Sequence, residues 1–226
     1  MSEINRPDAS RLVDKIYEET TEKGWSHLQT GIDPEDMLAI RGLFVAMDNR
    51  RVASTKKPEI TSLSPHSHSL TLATSSQEMS FHTDNVYLEE PCQRIALFCA
   101  IQAEEGGYNE LIDGLAITRT LSQETRDALR TSQWSWTDPS TGKPSLEFSV
   151  LNEDKEAIRW WRTSLLNRDI GSLAVADTLE EALNTSDERT RVLMQPGEVL
   201  VTDNTRILHN RSAFVGNRRI YRARFW

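Results

Sequence analysis

The sequence predicts a single domain, mainly β with flanking helices, and three observations carry that reading. The chain has 226 residues with no internal repeat, low-complexity tract or linker to divide it, which suits one domain with a sizeable core. Helical periodicity is confined to the first fifty residues and to later stretches between strands. The middle and end read as strands: a seven-residue apolar run, Ile95-Ala96-Leu97-Phe98-Cys99-Ala100-Ile101, and alternating segments, the last over 218–226.

Taken in order, Leu12, Ile16 and Tyr17 recur at helical spacing until the Gly24-Trp25 break. Asp33-Pro34-Glu35-Asp36 predicts a second helix, with Asp33 as N-cap and Pro34 at its first position, running through Met37, Ile40 and Leu43-Phe44 to about Met47. Residues 49–80 are polar and rich in Ser and Thr. They read as a mobile surface connection with one strand at Ser69-Leu70-Thr71-Leu72. After the 95–101 strand, Gly106-Gly107 turns the chain and Leu111-Ile112-Asp113-Gly114 forms a short strand. Leu115 to about Thr131 reads as helix, with Ser122 capping a second segment. Trp134-Ser135-Trp136 and Leu146 to Val150 alternate as half-buried strands around a turn at 138–144. Thr178 to about Met194 reads as an amphipathic helix on Leu179, Ala182, Leu183 and Val192. Pro196-Gly197-Glu198 then turns into Val199-Leu200-Val201. The expected organisation is one domain over 1–226: a helical part over about 1–48 and a strand core over about 69–226, with a helical insertion at about 152–194.

Composition excludes several function classes. Net charge is −8 and the pI about 5.2, so no general basic field attracts nucleic acid. No apolar stretch approaches the roughly 18 residues of a membrane span, and the N-terminus lacks the apolar core of a signal peptide. Cys92 and Cys99, the two cysteines, lie in or beside the apolar run and read as buried small hydrophobes, consistent with a reducing cytoplasm.

Chemistry concentrates on the five histidines, His27, His66, His68, His82 and His209. His82 belongs to Phe81-His82-Thr83-Asp84. On a strand, side chains two apart share a face, so the imidazole of His82 and the carboxylate of Asp84 can converge on one ion. A second histidine would complete a facial set of two histidines and one carboxylate with open positions, the arrangement of non-heme Fe(II) oxygenases. His209, after the 199–201 strand, is the natural third ligand. A bare His-x-Asp is common in sequences; its surroundings give it weight here.

Those surroundings are Phe81-His82-Thr83-Asp84-Asn85-Val86-Tyr87, Pro91, the buried strand, Ala103-Glu104-Glu105-Gly106-Gly107 and Leu111-Ile112-Asp113-Gly114. In the C-terminal half they are Pro196 to Asn204, His209-Asn210-Arg211, Phe214 and an arginine-rich last strand. In this order the two blocks resemble the taurine dioxygenase and clavaminate synthase-like superfamily of Fe(II)/2-oxoglutarate oxygenases. The resemblance implies a double-stranded β-helix, a jelly roll of about eight strands. It also implies Fe(II), 2-oxoglutarate as cosubstrate and O₂, with His82, Asp84 and His209 as catalytic metal ligands. In this superfamily the distal carboxylate of 2-oxoglutarate meets an arginine after the distal histidine, often in an Arg-x-x-x-Arg pair. Arg218 and Arg222 have that spacing, and the bidentate, permanently charged guanidinium suits the task. Arg218 is assigned to it, with Arg222 as the alternative. Where the family often has Thr after the Gly-Gly turn this chain has Asn109, whose amide N–H can donate in the same way.

Arg222 and Arg224, with His66-Ser67-His68, make up the expected substrate contacts, although the His66/His68 pair also reads as a solvated loop. Trp160-Trp161 reads as packing, and Asp203-Asn204 as the turn before His209. Related halogenases carry a small residue in place of the carboxylate, so Asp84 implies hydroxylation over halogenation, with desaturation, epoxidation and ring formation open as other outcomes. The expected activity is hydroxylation of an unactivated C–H bond in a small polar metabolite, amino-acid-like or carboxylate-bearing, with release of succinate and CO₂. Neither nucleic acid nor membrane is an expected partner. Two other classes share the fold: a non-catalytic jelly-roll metal- or ligand-binding module, and a cupin-type dioxygenase that works without 2-oxoglutarate and needs no arginine strand.

Overall fold

The computed structural model describes residues 6–50, 57–65, 72–131, 133–167 and 169–226. In chain order the elements are α1 (Arg6–Lys23), β1 (Trp25–Gln29), α2 (Met37–Asn49), β2 (Glu59–Leu63), β3 (Met79–His82), β4 (Arg94–Ile101), β5 (Glu105–Gly106) and β6 (Asn109–Asp113). There follow α3 (Gly114–Thr120), α4 (Gln123–Arg130), β7 (Leu151–Asn152), β8 (Ala157–Ile158), α5 (Ile170–Thr185), β9 (Thr190–Val192), β10 (Glu198–Asp203), β11 (Ile207–Arg211), β12 (Phe214–Val215) and β13 (Arg219–Phe225). Two antiparallel sheets form the core, a five-stranded one in the order β1-β10-β4-β13-β2 and a four-stranded one in the order β3-β11-β6-β9. This is a double-stranded β-helix.

Strand parity sorts the apolar residues into three layers. On the outer face of the five-stranded sheet, Ala96, Phe98, Val199, Val201, Ala223 and Phe225 pack under Val13 and Ile16 of α1 and Ile40, Leu43, Phe44 and Met47 of α2. Between the sheets lie Leu63, Cys99, Leu200 and Ile220 from one side and Leu111, Val192 and Ile207 from the other. Phe81, Ile112 and Leu208 of the four-stranded sheet point outward into a third cluster with Trp134, Trp136, Trp160, Leu165, Leu179 and Leu183. Both cysteines are buried and free, and burial pushes the Cys99 thiol up to about 11. No helix among the described residues is long and apolar enough to cross a membrane.

Several sequence expectations are corrected. Asp36, not Asp33, caps α2: its carboxylate accepts from the N–H groups of Leu38 and Ala39, while Asp33 accepts from Glu35 N–H in the turn before it. Two strands from the N-terminal part join the larger sheet, β1 on β10 and β2 on β13, so the core is not confined to residues 69–226. Strand β2 lies inside the stretch read as a surface connection. Of the strand expected at 69–72, only Leu72 is among the described residues, where it opens a 3₁₀ turn. Trp134 to Trp136 and 146–150 meet through one isolated bridge, Trp134 to Phe148, while Trp136 bridges to Leu165, and both tryptophans are fully buried. The later helix runs over Ile170–Thr185, capped by Asp169, and Val192 belongs to β9. Its insertion also contains the short β7–β8 hairpin.

The Gly106-Gly107 turn has a firm steric basis. Gly106 has φ +70°, and a Cβ there would stand 2.1 Å from the carbonyl oxygen of Ala213. Gly142 has a similar φ of +68° with nothing within 4 Å. Gly142→Ala should therefore cost about 1–2 kcal/mol of stability from backbone strain alone, and Gly106→Ala clearly more. Urea unfolding of both variants decides this, and equal losses would show that the close approach constrains nothing.

Candidate active site

Strands β3 and β11 pair antiparallel with His82 directly opposite His209. Because Phe81 and Leu208 point into the outer core, both histidines point between the sheets, and their ring centroids lie 4.3 Å apart. Asp84 follows in the turn after β3. Its Oδ1 is 3.5 Å from His82 Nε2 and 3.8 Å from His209 Nε2. The three ligand atoms all lie within 4.8 Å of one another, which could hold a metal ion.

The turn bearing Asp84 is held from both sides. Asn204 accepts from Asp84 N–H at 2.7 Å and donates to the carbonyls of Asp84 at 3.0 Å and Cys92 at 2.7 Å. On the other side Thr83 N–H donates to Trp160 O, and Trp160 N–H to Thr83 Oγ1. Asn85, next in sequence, takes φ +62° to turn the chain away.

The protonation states suit a metal. His82 Nδ1 lies 2.9 Å from the carbonyl oxygen of Ser80. A carbonyl can only accept, so Nδ1 carries a proton there and Nε2 is the nitrogen that faces Asp84 and His209. Burial lowers the pKa of His209, reinforced by His82, which favours its neutral form. Burial works to raise the pKa of Asp84, but the guanidiniums of Arg222 and Arg224 outweigh it and hold the carboxyl well below its usual range. Two imidazole nitrogens and one carboxylate oxygen are a donor set that fits Fe(II).

The same cavity is lined by Asn109, Arg218 and Arg222 together with Leu63, Leu97 and Ile220. Arg218 is buried, its guanidinium 5.4 Å from the Phe214 ring, and it makes no ion pair among the described residues. Burial lowers its pKa to about 10. Arg218 Nε and Asn109 Nδ2 are both buried without a hydrogen-bond partner among the described residues. Arg222 Nη1 lies 3.0 Å from Asp84 Oδ2, and Arg224 Nε donates to that same oxygen at 2.7 Å. His82, Asp84, His209, Asn109, Arg218 and Arg222 thus line one cavity, with Arg224 behind Asp84. His66 and His68 lie outside the described residues.

Three nearby residues carried no such role in the sequence. Asn204 looked like part of a turn, yet reaches back 120 positions to the Asp84 loop. Arg211 donates to the carbonyls of Leu72, Ala73, Ser75 and Gln77, stapling the segment that leads into β3. The half-buried Trp161 ring is 5.8 Å from the His82 ring. Asn204 and Arg211 stand inside the C-terminal motif block without a contact assigned to them from sequence, and Trp161 reads only as packing.

Two facing antiparallel sheets with an inward His-x-Asp and a distal His define a double-stranded β-helix protein of the mononuclear-metal type. The chain belongs to the taurine catabolism dioxygenase TauD, TfdA family, which matches residues 27–224. Among relatives, human gamma-butyrobetaine dioxygenase is 24% identical over 163 residues, covering 64% of this chain and 42% of that protein. The mitochondrial trimethyllysine dioxygenase of Rattus norvegicus is 27% identical over 159 residues, covering 62% and 38%. The chain thus spans about two fifths of the length of these curated relatives. Asparagine oxygenase in complex with Fe(II), 2S,3S-3-hydroxyasparagine and succinate superposes with a TM-score of 0.79 at 14% identity, over 96% of this chain and 78% of that one. The non-heme iron oxygenase OrfP in complex with Fe and alpha-ketoglutaric acid gives 0.73 at 13% identity, over 97% and 83%.

Asn204→Ala removes the partners of one buried N–H and two carbonyls. At about 1–3 kcal/mol for each unsatisfied buried group, partly relieved by water, it should lose about 2–4 kcal/mol of stability to urea. A loss below about 1 kcal/mol would mean that the clamp is not what holds the Asp84 turn.

Proposed function

We propose that this protein is an Fe(II)- and 2-oxoglutarate-dependent dioxygenase that hydroxylates an unactivated C–H bond of a small polar metabolite, amino-acid-like or carboxylate-bearing. The observation that carries this is one cavity holding a buried His82–Asp84–His209 donor set and a buried arginine, Arg218, with no anionic partner among the described residues. A buried unpaired cation is costly and implies an anion that visits. A cupin-type enzyme without 2-oxoglutarate, or a simple metal-binding module, gives such an arginine nothing to do.

In this reading His82, Asp84 and His209 hold the iron on one side, leaving positions open for cosubstrate and O₂. The iron, when bound, supplies the oxidative decarboxylation of 2-oxoglutarate to succinate and CO₂ and the oxidising power for the C–H bond. The chain's own work is placement. Arg218, with Asn109 Nδ2 as a further donor, takes the distal carboxylate of 2-oxoglutarate and fixes which end faces the metal. Leu63, Leu97 and Ile220 keep water from that pocket. The Ser80 carbonyl holds the His82 tautomer. Arg222, charged and only partly satisfied, is assigned to an anionic group of the substrate. The amino-acid-like compounds in the names of the relatives and neighbours, gamma-butyrobetaine, trimethyllysine, hydroxyasparagine and hydroxy-L-Arg, support a small polar substrate.

Two experiments test this. His82→Ala, Asp84→Ala and His209→Ala should each abolish iron-dependent succinate release from 2-oxoglutarate while the fold survives by circular dichroism. A variant that keeps near-wild-type release and iron affinity removes that residue from the ligand set. Anaerobic calorimetry separates the arginines. Arg218→Ala should cost roughly 2–5 kcal/mol of 2-oxoglutarate affinity, about 30- to several-thousand-fold in Kd. Arg222→Ala, at saturating Fe(II), should leave that affinity nearly intact and raise the substrate KM, with some loss of iron affinity because Arg222 also faces Asp84. The reverse result exchanges the two roles, and a wild-type protein that binds no 2-oxoglutarate sinks the proposal.

A further inference from the structure

Arg222 and Arg224 share a face of β13, yet they are held differently. Arg222 approaches Asp84 Oδ2 through Nη1 alone, and its buried Nε has no partner among the described residues. Arg224 is committed at both ends: Nε donates to Asp84 Oδ2 at 2.7 Å, and Nη1 donates to Glu59 Oε2 at 3.2 Å. Glu59 reaches it because β2 pairs with β13 in a register that puts Glu59 opposite Arg224. The resulting chain, Glu59 to Arg224 to Asp84, runs from the exposed sheet edge to the buried site. The side chain of Glu59 is 53% exposed, that of Arg224 14% and that of Asp84 6%.

We propose that Arg224 and Glu59 form a positioning pair for the Asp84 carboxylate, with Arg224 pinning Oδ2 so that Oδ1 alone faces the two imidazoles, and Glu59 balancing the arginine's charge. The inference rests on reading Asp84 as a metal ligand. The terminal torsion of an aspartate is soft and roughly two-fold, so an unanchored carboxylate offers either oxygen, or both, to a metal. A directional N–H bond to one oxygen removes that freedom. A lone guanidinium beside the carboxylate would also repel a dication, and Glu59, as a cross-strand partner, offsets that repulsion. Arg224 is thereby assigned to positioning, which leaves Arg222 as the arginine of this face available to substrate.

Co(II) serves as a redox-stable probe, titrated anaerobically into the full chain while its visible absorption spectrum is followed. Arg224→Gln should bind Co(II) about 10–100-fold more weakly, with a changed spectrum because Oδ2, left with only the Arg222 Nη1 contact, can turn toward the metal. Glu59→Gln, at an exposed edge where folding is not at stake, should weaken Co(II) by about 2–5-fold. Arg224→Lys should recover part of the loss, since an ammonium can meet one carboxylate but lacks the planar fork that meets both. At saturating Co(II), 2-oxoglutarate affinity should stay within about threefold in each variant. Wild-type Co(II) affinity and spectrum in Arg224→Gln overturn the proposal; if that variant does not fold, unchanged Co(II) affinity in Glu59→Gln overturns it. A substrate-anchoring arginine would give that overturning pattern together with a raised substrate KM. A wild-type chain that takes up no Co(II) instead removes the metal-site reading of Asp84, and the pair's purpose with it.

Discussion

A carboxylate that is 6% exposed between two sheets has lost nearly all its hydration, and it stays ionised only if cations and dipoles replace that water. For Asp84 the replacement comes from β13, which brings Arg222 and Arg224 to one carboxylate oxygen. The other oxygen is left to the two histidines. Much of the surrounding structure serves this arrangement. The five-stranded sheet must carry β13 next to β4 for the arginines to point inward, and the helices α1 and α2 must cover the opposite face, where Ala223 and Phe225 alternate with them. One residue of slip in β13 would send the arginines into that apolar layer and its apolar residues into the site.

Much of the site was legible because its chemistry follows the strand period. His82 and His209 take inward positions on β3 and β11, with Ile207 between the sheets and Leu208 outside, whereas Asp84 reaches the same cavity from the turn after β3. What the sequence could not show is register. That His209 faces His82 is a property of how β11 pairs with β3, across more than a hundred residues of chain. Strand β2 escaped notice for a related reason: its two apolar residues, Ile60 and Leu63, serve different cores on opposite faces, so no alternation appears. With β2 unread, Glu59 had no place and Arg224 seemed free for substrate. The later helix was drawn too far because Val192 continues its apolar spacing by coincidence while packing between the sheets on β9.

The helical elements failed at their ends rather than in their existence. Asp33 and Asp36 are both good caps, and the choice between them rests on which carboxylate finds free N–H groups, settled by the tight turn at Asp33. Trp134 and Trp136 keep the period of two, with Ser135 half-buried between them, but they pack into the third cluster through isolated bridges and join no sheet. Such a pattern belongs to an irregular layer folded over a sheet, where a strand-like segment buries one face without a ladder to join.

The Asn204 clamp has a kinetic consequence. One amide ties residues 84 and 92 to residue 204, a closure of more than a hundred positions, just past the end of the β4–β10 ladder where Asp203 pairs with Arg94. Contacts so far apart in sequence form late, after local helices and hairpins, because the loop entropy is lost before the bonds reward it. During synthesis the His82–Asp84 turn therefore emerges well before the residue that shapes it. A nascent chain carries the first two donor groups long before it carries a site, so selective metal capture becomes a property of the finished fold alone.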